Sequence, residues 1–280
     1  MQLSVLMSVY GKDNPDHFDQ ALGSVVDQTK APGQIVIVAD GPLTDALNNV
    51  LDDYASQYSD LFTIIRLAKP SGPACAWNQG LEQCSCDLVA RMDADDISLP
   101  ERFERQMAFL QAHPEVDVVG TYYAEFEDDR DMPVALYSPP TGHAAILKYA
   151  RLRNPLCHPS VMYRKQAVTE HGGYVQVDGF VDYYLWIRML QAGRVFANLP
   201  EVLLKYRGGR HVMSRRGGVG YVRNEWRFLR IAYKSGFISF RLFVCNVVIR
   251  PFVRMMPVTV RNLVYRKLLR QPVGNPEKGI

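Results

Sequence analysis

Four short apolar runs in the first third of the chain set its dominant pattern. They are rich in β-branched and aliphatic residues, and they cover residues 3–10, 34–40, 62–68 and 87–93. Runs of this length and composition are typical of strands that are buried on both faces. Stretches with apolar residues at helical spacing separate them, at 16–29, 44–58 and 72–84. This alternation predicts an α/β fold in which helices connect the strands of a parallel sheet.

The rest of the chain continues with elements of both kinds. Amphipathic helices are predicted at 101–113, 142–152 and 183–193. A further strand is predicted at 116–126, and an extended segment that Pro200 interrupts at 195–207. No internal repeat or clear linker occurs, so we expect one continuous domain with a C-terminal extension.

Polar residues follow three of the predicted strands at the point where each strand ends. They are Tyr10-Gly11, Asp40-Gly41 and the acidic run from Asp93 to Asp96. In open α/β sheets, ligands bind outside the carboxyl ends of the strands. The sequence therefore predicts a ligand site at this edge of the sheet.

The acidic run indicates what that site binds. On an extended backbone Asp93 and Asp95 share a face, because side chains at i and i+2 point the same way. Two carboxylates on one face suit a hard divalent cation, Mg²⁺ or Mn²⁺, which takes its remaining ligands from phosphate and water. The alternative is a solvated acidic turn in which Asp96 caps the following helix.

An ordered set of motifs resembles the family-2 glycosyltransferases of the GT-A fold, in particular bacterial enzymes that build O-antigen or capsule repeat units. The motifs are SVLMSVYG, QIVIVADGP, NQGLEQC, VARMDADD, NPLCHPSVMYRK, GGY, VDYYLWIRMLQAG and LLKYR, and they span most of residues 3–214. The resemblance implies a metal-dependent transferase that uses a UDP-sugar. It also implies a domain at 1–215, with a nucleotide-sugar half at 1–100 and an acceptor half at 101–215, followed by a helical extension at 216–280.

The resemblance also implies roles for individual residues on the donor side. Ser8, Val9 and Tyr10 would line the uracil pocket. Asp40 would hydrogen-bond the uracil ring edge, although a turn-forming residue before Gly41 is the alternative. Asp93 would contact the ribose or the donor sugar, and Asp95 would hold Mn²⁺ or Mg²⁺ against the diphosphate.

On the acceptor side, the resemblance places the catalytic base at Asp182. Val181 departs from the family pattern, in which Glu is usual at this position. The alternative for Asp182 is an N-cap of the helix that follows. In the late loop YRGGRHVMSRR, His211 is a candidate for a metal or phosphate ligand, and the arginines match phosphate. They are Arg207, Arg210, Arg215 and Arg216.

Three further residues lie in the matching motifs. His158 is as compatible with a hydrogen-bonded core histidine as with a functional one. Trp186 falls on the apolar side of its helix, which favours core packing over sugar stacking. We expect Asn78 to act as a structural hydrogen-bonding residue.

Charge is distributed unevenly. Residues 1–202 carry 15 Lys/Arg and 27 Asp/Glu, whereas residues 203–280 carry 17 Lys/Arg and two Asp/Glu. Residues 236–272 contain seven basic residues, no acid and many large apolar side chains, a composition typical of a segment at a membrane interface. The alternative is a helix pair that packs its apolar face on the domain and leaves arginine outside.

The sequence also narrows the class of protein. No phosphate-binding glycine loop of the P-loop or dinucleotide type occurs, and the five scattered cysteines are expected to be reduced thiols. We expect a cytoplasmic, peripheral enzyme on the inner face of the cell membrane. Its expected partners are a UDP-sugar and a lipid-diphosphate-linked saccharide, with no nucleic acid. A sugar-nucleotide nucleotidylyltransferase and a non-catalytic saccharide- or nucleotide-binding protein are the alternatives.

Overall fold

The computed structural model describes residues 1–127, 130–208 and 217–256. Its N-terminal half follows the predicted alternation of strands and helices. The strands are β1 (Leu3–Val9), β2 (Gln34–Ala39), β3 (Phe62–Arg66) and β4 (Leu88–Asp93). The helices between them are α1 (Pro15–Val26), α2 (Asp45–Gln57) and α3 (Pro73–Gln83). The four strands are parallel, in the order β3-β2-β1-β4, which confirms the predicted sheet.

The second half adds strands of both directions to the same sheet. They are β5 (Ile97–Ser98), β6 (Val116–Phe126), β7 (Ala135–Tyr137), β8 (Met162–Arg164) and β9 (Val195–Arg207). Strand β8 lies between β4 and β6 and is antiparallel to both. Strand β9 runs parallel to β6 and antiparallel to β5. In the described part of the chain, the strands form one nine-stranded sheet.

The remaining helices cover the sheet and extend beyond it. They are α4 (Arg102–Ala112), α5 (His143–Ala150), α6 (Lys165–Thr169), α7 (Val181–Gln191), α8 (Gly218–Lys234) and α9 (Phe240–Met255). Phe228 and Leu229 of α8 are buried in the same apolar cluster as Trp186 of α7. The described part of the extension, residues 217–256, is therefore packed on the domain. The predicted boundary at residue 215 lies outside the described residues.

Two apolar clusters lie on opposite faces of the sheet, as period-2 alternation requires. On β1, Leu6 belongs to one cluster, and its neighbours Val5 and Met7 belong to the other. All three side chains are fully buried. Burial on both faces explains why the first strands read as continuous apolar runs.

Gly80 of α3 marks the closest approach of a helix to this sheet. A Cβ atom at Gly80 would lie 2.3 Å from Leu6 Cδ1 and 2.8 Å from a Val38 methyl group. We expect Gly80→Ala to lower the free energy of unfolding by about 1–2 kcal/mol, because the added methyl group overpacks a closed core. Urea unfolding with a fluorescence or circular-dichroism readout measures this change.

The matched control is Gly220→Ala in α8, where an added Cβ would meet nothing within 4 Å. That change should stabilise the protein by about 0.5–1 kcal/mol, because alanine is the better helix residue. Equal stabilisation by both changes would contradict the tight contact at Gly80.

Candidate functional site

The ends of β1, β2 and β4 lie side by side, as the sequence predicts. Ser8 of β1 pairs with Val38 of β2 on one side and with Asp93 of β4 on the other. The backbone N–H of Asp40 donates to the Val9 carbonyl at 2.8 Å. The polar residues that follow these strands therefore share one edge of the sheet.

The three residues predicted to line the uracil pocket differ in what they present. Tyr10 is 43% exposed at the end of β1. Ser8 accepts a hydrogen bond on Oγ from Trp77 Nε1 at 3.0 Å. Val9 is 1% exposed and its carbonyl accepts from the Asp40 N–H, so a contact of Val9 with a uracil ring stays a prediction.

Asp40 organises the loop that leads into α3. Its Oδ1 accepts from the backbone N–H and the hydroxyl of Ser71, at 2.6 and 2.8 Å, and its Oδ2 accepts from the Gly72 N–H at 3.1 Å. The next residue, Gly41, has φ +89°, and a Cβ there would lie 2.7 Å from Pro70 Cδ, so glycine is required. The structural role is thus shown, and contact with a uracil ring stays a prediction.

The acidic run forms the turn between β4 and β5. Asp93 and Asp95 are partly exposed, and Asp96 is fully buried. Asp96 Oδ1 accepts from the backbone N–H of Arg207 in β9 at 2.8 Å. The alternative in which Asp96 caps the following helix is therefore wrong, and Asp96 instead joins the turn to a distant strand.

Burial raises the pKa of Asp96 well above its ordinary value, and the charges of Asp95 and Asp93 raise it further. The bond from Arg207 opposes this shift. Asp96 Oδ2 is buried and has no hydrogen-bond partner among the residues the structure describes. Burial thus disfavours the charged form of Asp96, and Asp93 and Asp95 are the partly exposed acids of the turn.

Arg91 supplies the positive charge beside Asp93. Its side chain is fully buried, and its guanidinium donates to Asp93 Oδ1 at 2.6 Å and to the Leu6 and Met92 carbonyls. The guanidinium also lies 4.8 Å from the centre of the Trp77 ring. The sequence interpretation missed this residue. Its signal was a lone charge inside an apolar strand, two positions before a carboxylate.

Arg207 forms hydrogen bonds with the other end of the turn. Its Nε donates to the Asp95 carbonyl at 2.8 Å, and one terminal nitrogen donates to Gln20 Oε1 at 3.0 Å. The guanidinium lies 4.5 Å from the centre of the Phe126 ring. These contacts hold β9 and α1 against the turn, a positioning role that the predicted match to phosphate did not anticipate.

A buried polar network continues from Arg91 to residues of the second half of the chain. His158 Nε2 lies 3.4 Å from Arg91 Nε and 3.1 Å from the Tyr174 hydroxyl. Burial and the charge of Arg91 lower the pKa of His158 well below its ordinary value, so this imidazole is neutral. Of the two interpretations of His158, the structure supports the hydrogen-bonded core histidine.

Asp182, the predicted base, lies in the first turn of α7. Its Oδ2 accepts from Asn154 Nδ2 at 2.7 Å. The residue that precedes the helix is Phe180, so the N-cap alternative for Asp182 is wrong. Val181, where the family has Glu, is buried in the core. Asn154, which the sequence interpretation did not single out although it lies in NPLCHPS, is thus a neighbour that orients Asp182.

Tyr174 is a buried phenol of the same network, and its hydroxyl lies 3.3 Å from that of Tyr163. Burial raises the pKa of Tyr174 well above its usual value. The charge of Arg91 lowers this pKa in part, and the charges of Asp182 and Asp93 raise it further. Asn78 holds Tyr174 in place, donating to its carbonyl at 2.7 Å and accepting from its N–H at 2.8 Å, which confirms Asn78 as a structural residue.

Asp93 and Asp95 fit a hard cation by the chemistry of their donor atoms. Both offer carboxylate oxygens, the ligands that Mg²⁺ and Mn²⁺ prefer. Among the described residues, no group of three or more His, Cys, Asp or Glu side chains is arranged to enclose a metal ion. An ion held here would complete its shell with water and substrate phosphate, as magnesium commonly does.

The late loop lies outside the described residues. It contains Arg210 and His211, with Arg215 and Arg216. Their assignment to phosphate and metal stays a prediction.

Trp186, by contrast, is fully buried in the core, which confirms the expected packing role. All five cysteines are free thiols, as predicted.

Comparison with known proteins agrees with this geometry. Residues 4–172 match the family model described as glycosyl transferase family 2. The amylovoran biosynthesis glycosyltransferase AmsE of Erwinia amylovora is 39% identical over 94% of this chain and 98% of its own length. An Escherichia coli UDP-Gal:α-D-GlcNAc-diphosphoundecaprenol β-1,3-galactosyltransferase is 35% identical over 96% of this chain and 97% of its own.

A solved structure shows the same fold at low sequence identity. The mannosyltransferase PcManGT of Pyrobaculum calidifontis, in complex with GDP-Man and Mn²⁺, gives a TM-score of 0.65 at 14% identity, over 95% of this chain and 75% of that one. The helix-flanked sheet is thus the GT-A fold that the motifs implied. The chain belongs to glycosyltransferase family 2, and it is a glycosyltransferase.

Proposed function

We propose that this enzyme transfers a hexose from a UDP-sugar to a lipid-linked saccharide, built on undecaprenyl diphosphate, during the synthesis of polysaccharide repeat units. The transfer inverts the anomeric carbon and forms a β-linkage. The observation that carries the proposal is the meeting of three polar strand ends at one edge of the sheet, where Ser8 pairs with Asp93 and the N–H of Asp40 bonds to Val9, in a chain of glycosyltransferase family 2. Ligands of α/β sheets bind at such an edge, which suits it to the nucleotide-sugar donor.

The donor side is assigned to the three strand ends. Ser8, Tyr10 and Asp40 contact the uridine, and Asp93 contacts the ribose or the donor sugar. Asp95 and His211 would hold Mn²⁺ or Mg²⁺, and Arg210 would bind the diphosphate. A bound ion would supply positive charge at the departing diphosphate. A carboxylate accepts hydrogen bonds from a ring N–H or a ribose hydroxyl, which suits Asp40 and Asp93 to these contacts.

Asp182 acts as the general base. Its carboxylate accepts the proton of the acceptor hydroxyl while that oxygen attacks the anomeric carbon and UDP leaves. Asn154 orients the carboxylate through Oδ2.

The relatives support the choice of donor and acceptor. The Escherichia coli relative is named for a UDP-galactose donor and a diphosphoundecaprenol-linked acceptor, and AmsE is named for amylovoran biosynthesis. Family membership goes against both alternatives, a nucleotidylyltransferase and a non-catalytic binding protein. A lipid-linked acceptor also places the reaction at the cytoplasmic face of the cell membrane, where this enzyme would be a peripheral protein.

Product analysis tests the proposal. UDP-Glc, UDP-Gal, UDP-GlcNAc and UDP-GalNAc are each incubated with Mn²⁺ and a GlcNAc-diphospholipid of short chain. We expect one donor to release UDP faster with acceptor than without, and to give a product heavier by one hexose unit. Nuclear magnetic resonance of the product should show a β-linkage. A product from GDP-mannose alone, or an α-linkage, would contradict the proposal.

A further inference from the structure

The last two described helices form an antiparallel pair, here called the terminal hairpin, which consists of α8 and α9. At one end Arg254 lies 4.6 Å from the centre of the Tyr221 ring, and at the other Tyr233 stacks on Phe243 at 5.1 Å. Phe228 and Leu229 of α8 are buried in the core. The hairpin is therefore anchored to the catalytic domain along one side.

Two arginines of α9 face inward. Glu225 of α8 is 2% exposed and accepts from Arg250 at 2.8 Å and from Arg254 at 2.9 Å. Burial alone would raise the pKa of Glu225, but the hydrogen bonds and charges of the two arginines outweigh it and lower the pKa. Arg250 also donates to Asn246 at 2.8 Å and to the Leu152 carbonyl. The alternative of a helix pair that packs an apolar face on the domain is therefore borne out by Leu242, Phe243 and Val247, but its expectation that arginine stays outside is wrong for Arg250 and Arg254.

These ion pairs fix the roll of α9 about its axis and turn an apolar stripe to the outside. The stripe follows helical spacing and comprises Phe240, Val244, Val248, Ile249, Phe252 and Met255, all exposed. Phe252 is 70% and Phe240 63% exposed. A contiguous exposed apolar face of this kind marks an interaction surface in a soluble protein.

The hairpin that carries the stripe is basic and has exposed aromatic residues. Five basic residues of the hairpin are exposed: Arg223, Arg227, Arg230, Lys234 and Arg241. Glu225 is the only acid within residues 217–256, and it is buried. Trp226 and Tyr233 are exposed beside these charges, and Arg230 lies over the Trp226 ring at 5.6 Å. Tryptophan and tyrosine with this surrounding charge are typical of a membrane interface.

We propose that the terminal hairpin lies flat on an anionic lipid surface, with the α9 stripe inserted among the acyl chains and the five basic residues at the phosphate level. The proposal deepens the proposed function, since a lipid-linked acceptor would be met at that surface. Charge complementarity favours lipid over the other occupants. A second copy of the chain would place its own five basic residues opposite these five, and the like charges would repel. A nucleic acid would match the charge but would leave the apolar stripe exposed to water. Among the described helices none is long and apolar enough to cross a bilayer, whereas an interfacial helix needs no such length.

Vesicle sedimentation with the full chain tests the proposal. Vesicles of phosphatidylcholine are compared with vesicles in which about a third of the lipid is phosphatidylglycerol. We expect the wild type to sediment with the anionic vesicles and only weakly with the neutral ones. Val248→Asp and Phe252→Asp should each lower the partition coefficient about tenfold, because each removes buried apolar area at the interface. Arg227→Gln should lower it about fivefold.

Met132→Asp is the matched control, because Met132 is 69% exposed but lies outside the hairpin. It should leave sedimentation unchanged. Equal sedimentation of the wild type and Val248→Asp would overturn the proposal. A concentration-dependent dimer of the wild type that Val248→Asp disrupts would also overturn it. Displacement of the protein from vesicles by RNA would do the same.

A second readout separates this proposal from the proposed function. Val248→Asp should transfer sugar to a short-chain, water-soluble acceptor as fast as the wild type, because the stripe contacts none of the candidate catalytic residues. Wild type that transfers sugar but does not bind vesicles would refute the lipid surface alone. Wild type that binds vesicles but gives no product with any UDP-hexose would refute the proposed function alone.

Discussion

Asp182→Asn is expected to lower kcat by about 10²–10⁴, the usual contribution of a positioned general base. Asparagine keeps the size of the side chain and an oxygen that can accept from Asn154, but it cannot take the proton of the acceptor hydroxyl. Binding of the donor should change little, because the base acts on the acceptor. UDP release with and without acceptor measures kcat, and calorimetry measures binding of UDP.

Asp178→Asn is the matched control for this change. Asp178 lies four residues before Asp182, is exposed, and accepts from Gln176 at 2.8 Å. It should retain wild-type turnover. Full activity of Asp182→Asn would remove Asp182 from the base position. Loss of UDP binding in that variant would instead assign the carboxylate to the donor.

The first four strands could be predicted because their signal is local. Each is a short apolar run, and the chain itself connects one strand to the next through a helix. The bounds of β6, Val116–Phe126, match the predicted strand in full for the same reason. The position of β8 between β4 and β6 could not be predicted, because it depends on pairing between segments far apart in the chain. No periodicity in Met162–Arg164 encodes those partners.

In the candidate site, too, the residues that could be predicted are those with a local sequence signal. Asp40 and Asp93 could be placed at one edge because each directly follows a strand of a parallel sheet. The contact between Asn154 and Asp182 joins residues 28 positions apart and has no local signal. Arg207 reaches the turn at Asp96 across 111 positions. Contacts of this kind depend on the packed sheet, which is why the sequence assigned Arg207 only by its charge.

Part of the positive charge that offsets the acidic turn comes from arginine side chains of the protein itself. Arg91 pairs with Asp93 from within β4, and Arg207 binds Asp96 and the Asp95 carbonyl from β9. Asp96 is also biased towards its neutral form by burial. The repulsion within the turn is thus relieved at Asp93 and Asp96 before any ligand binds.

Asp95→Asn is expected to lower kcat/KM at least about a hundredfold, because Asp95 is proposed to hold the metal, and a metal at a leaving diphosphate contributes several kcal/mol to transition-state stabilisation. The variant should also lose the Mn²⁺-dependent part of the rise in Tm that UDP produces, a readout independent of turnover. Asp87→Asn is the matched control, since Asp87 precedes the opposite end of β4 and is exposed. It should behave as wild type in both measurements. A wild-type enzyme that keeps full activity in excess chelator, or an Asp95→Asn variant with an unchanged response to Mn²⁺, would show that Asp95 does not hold the ion.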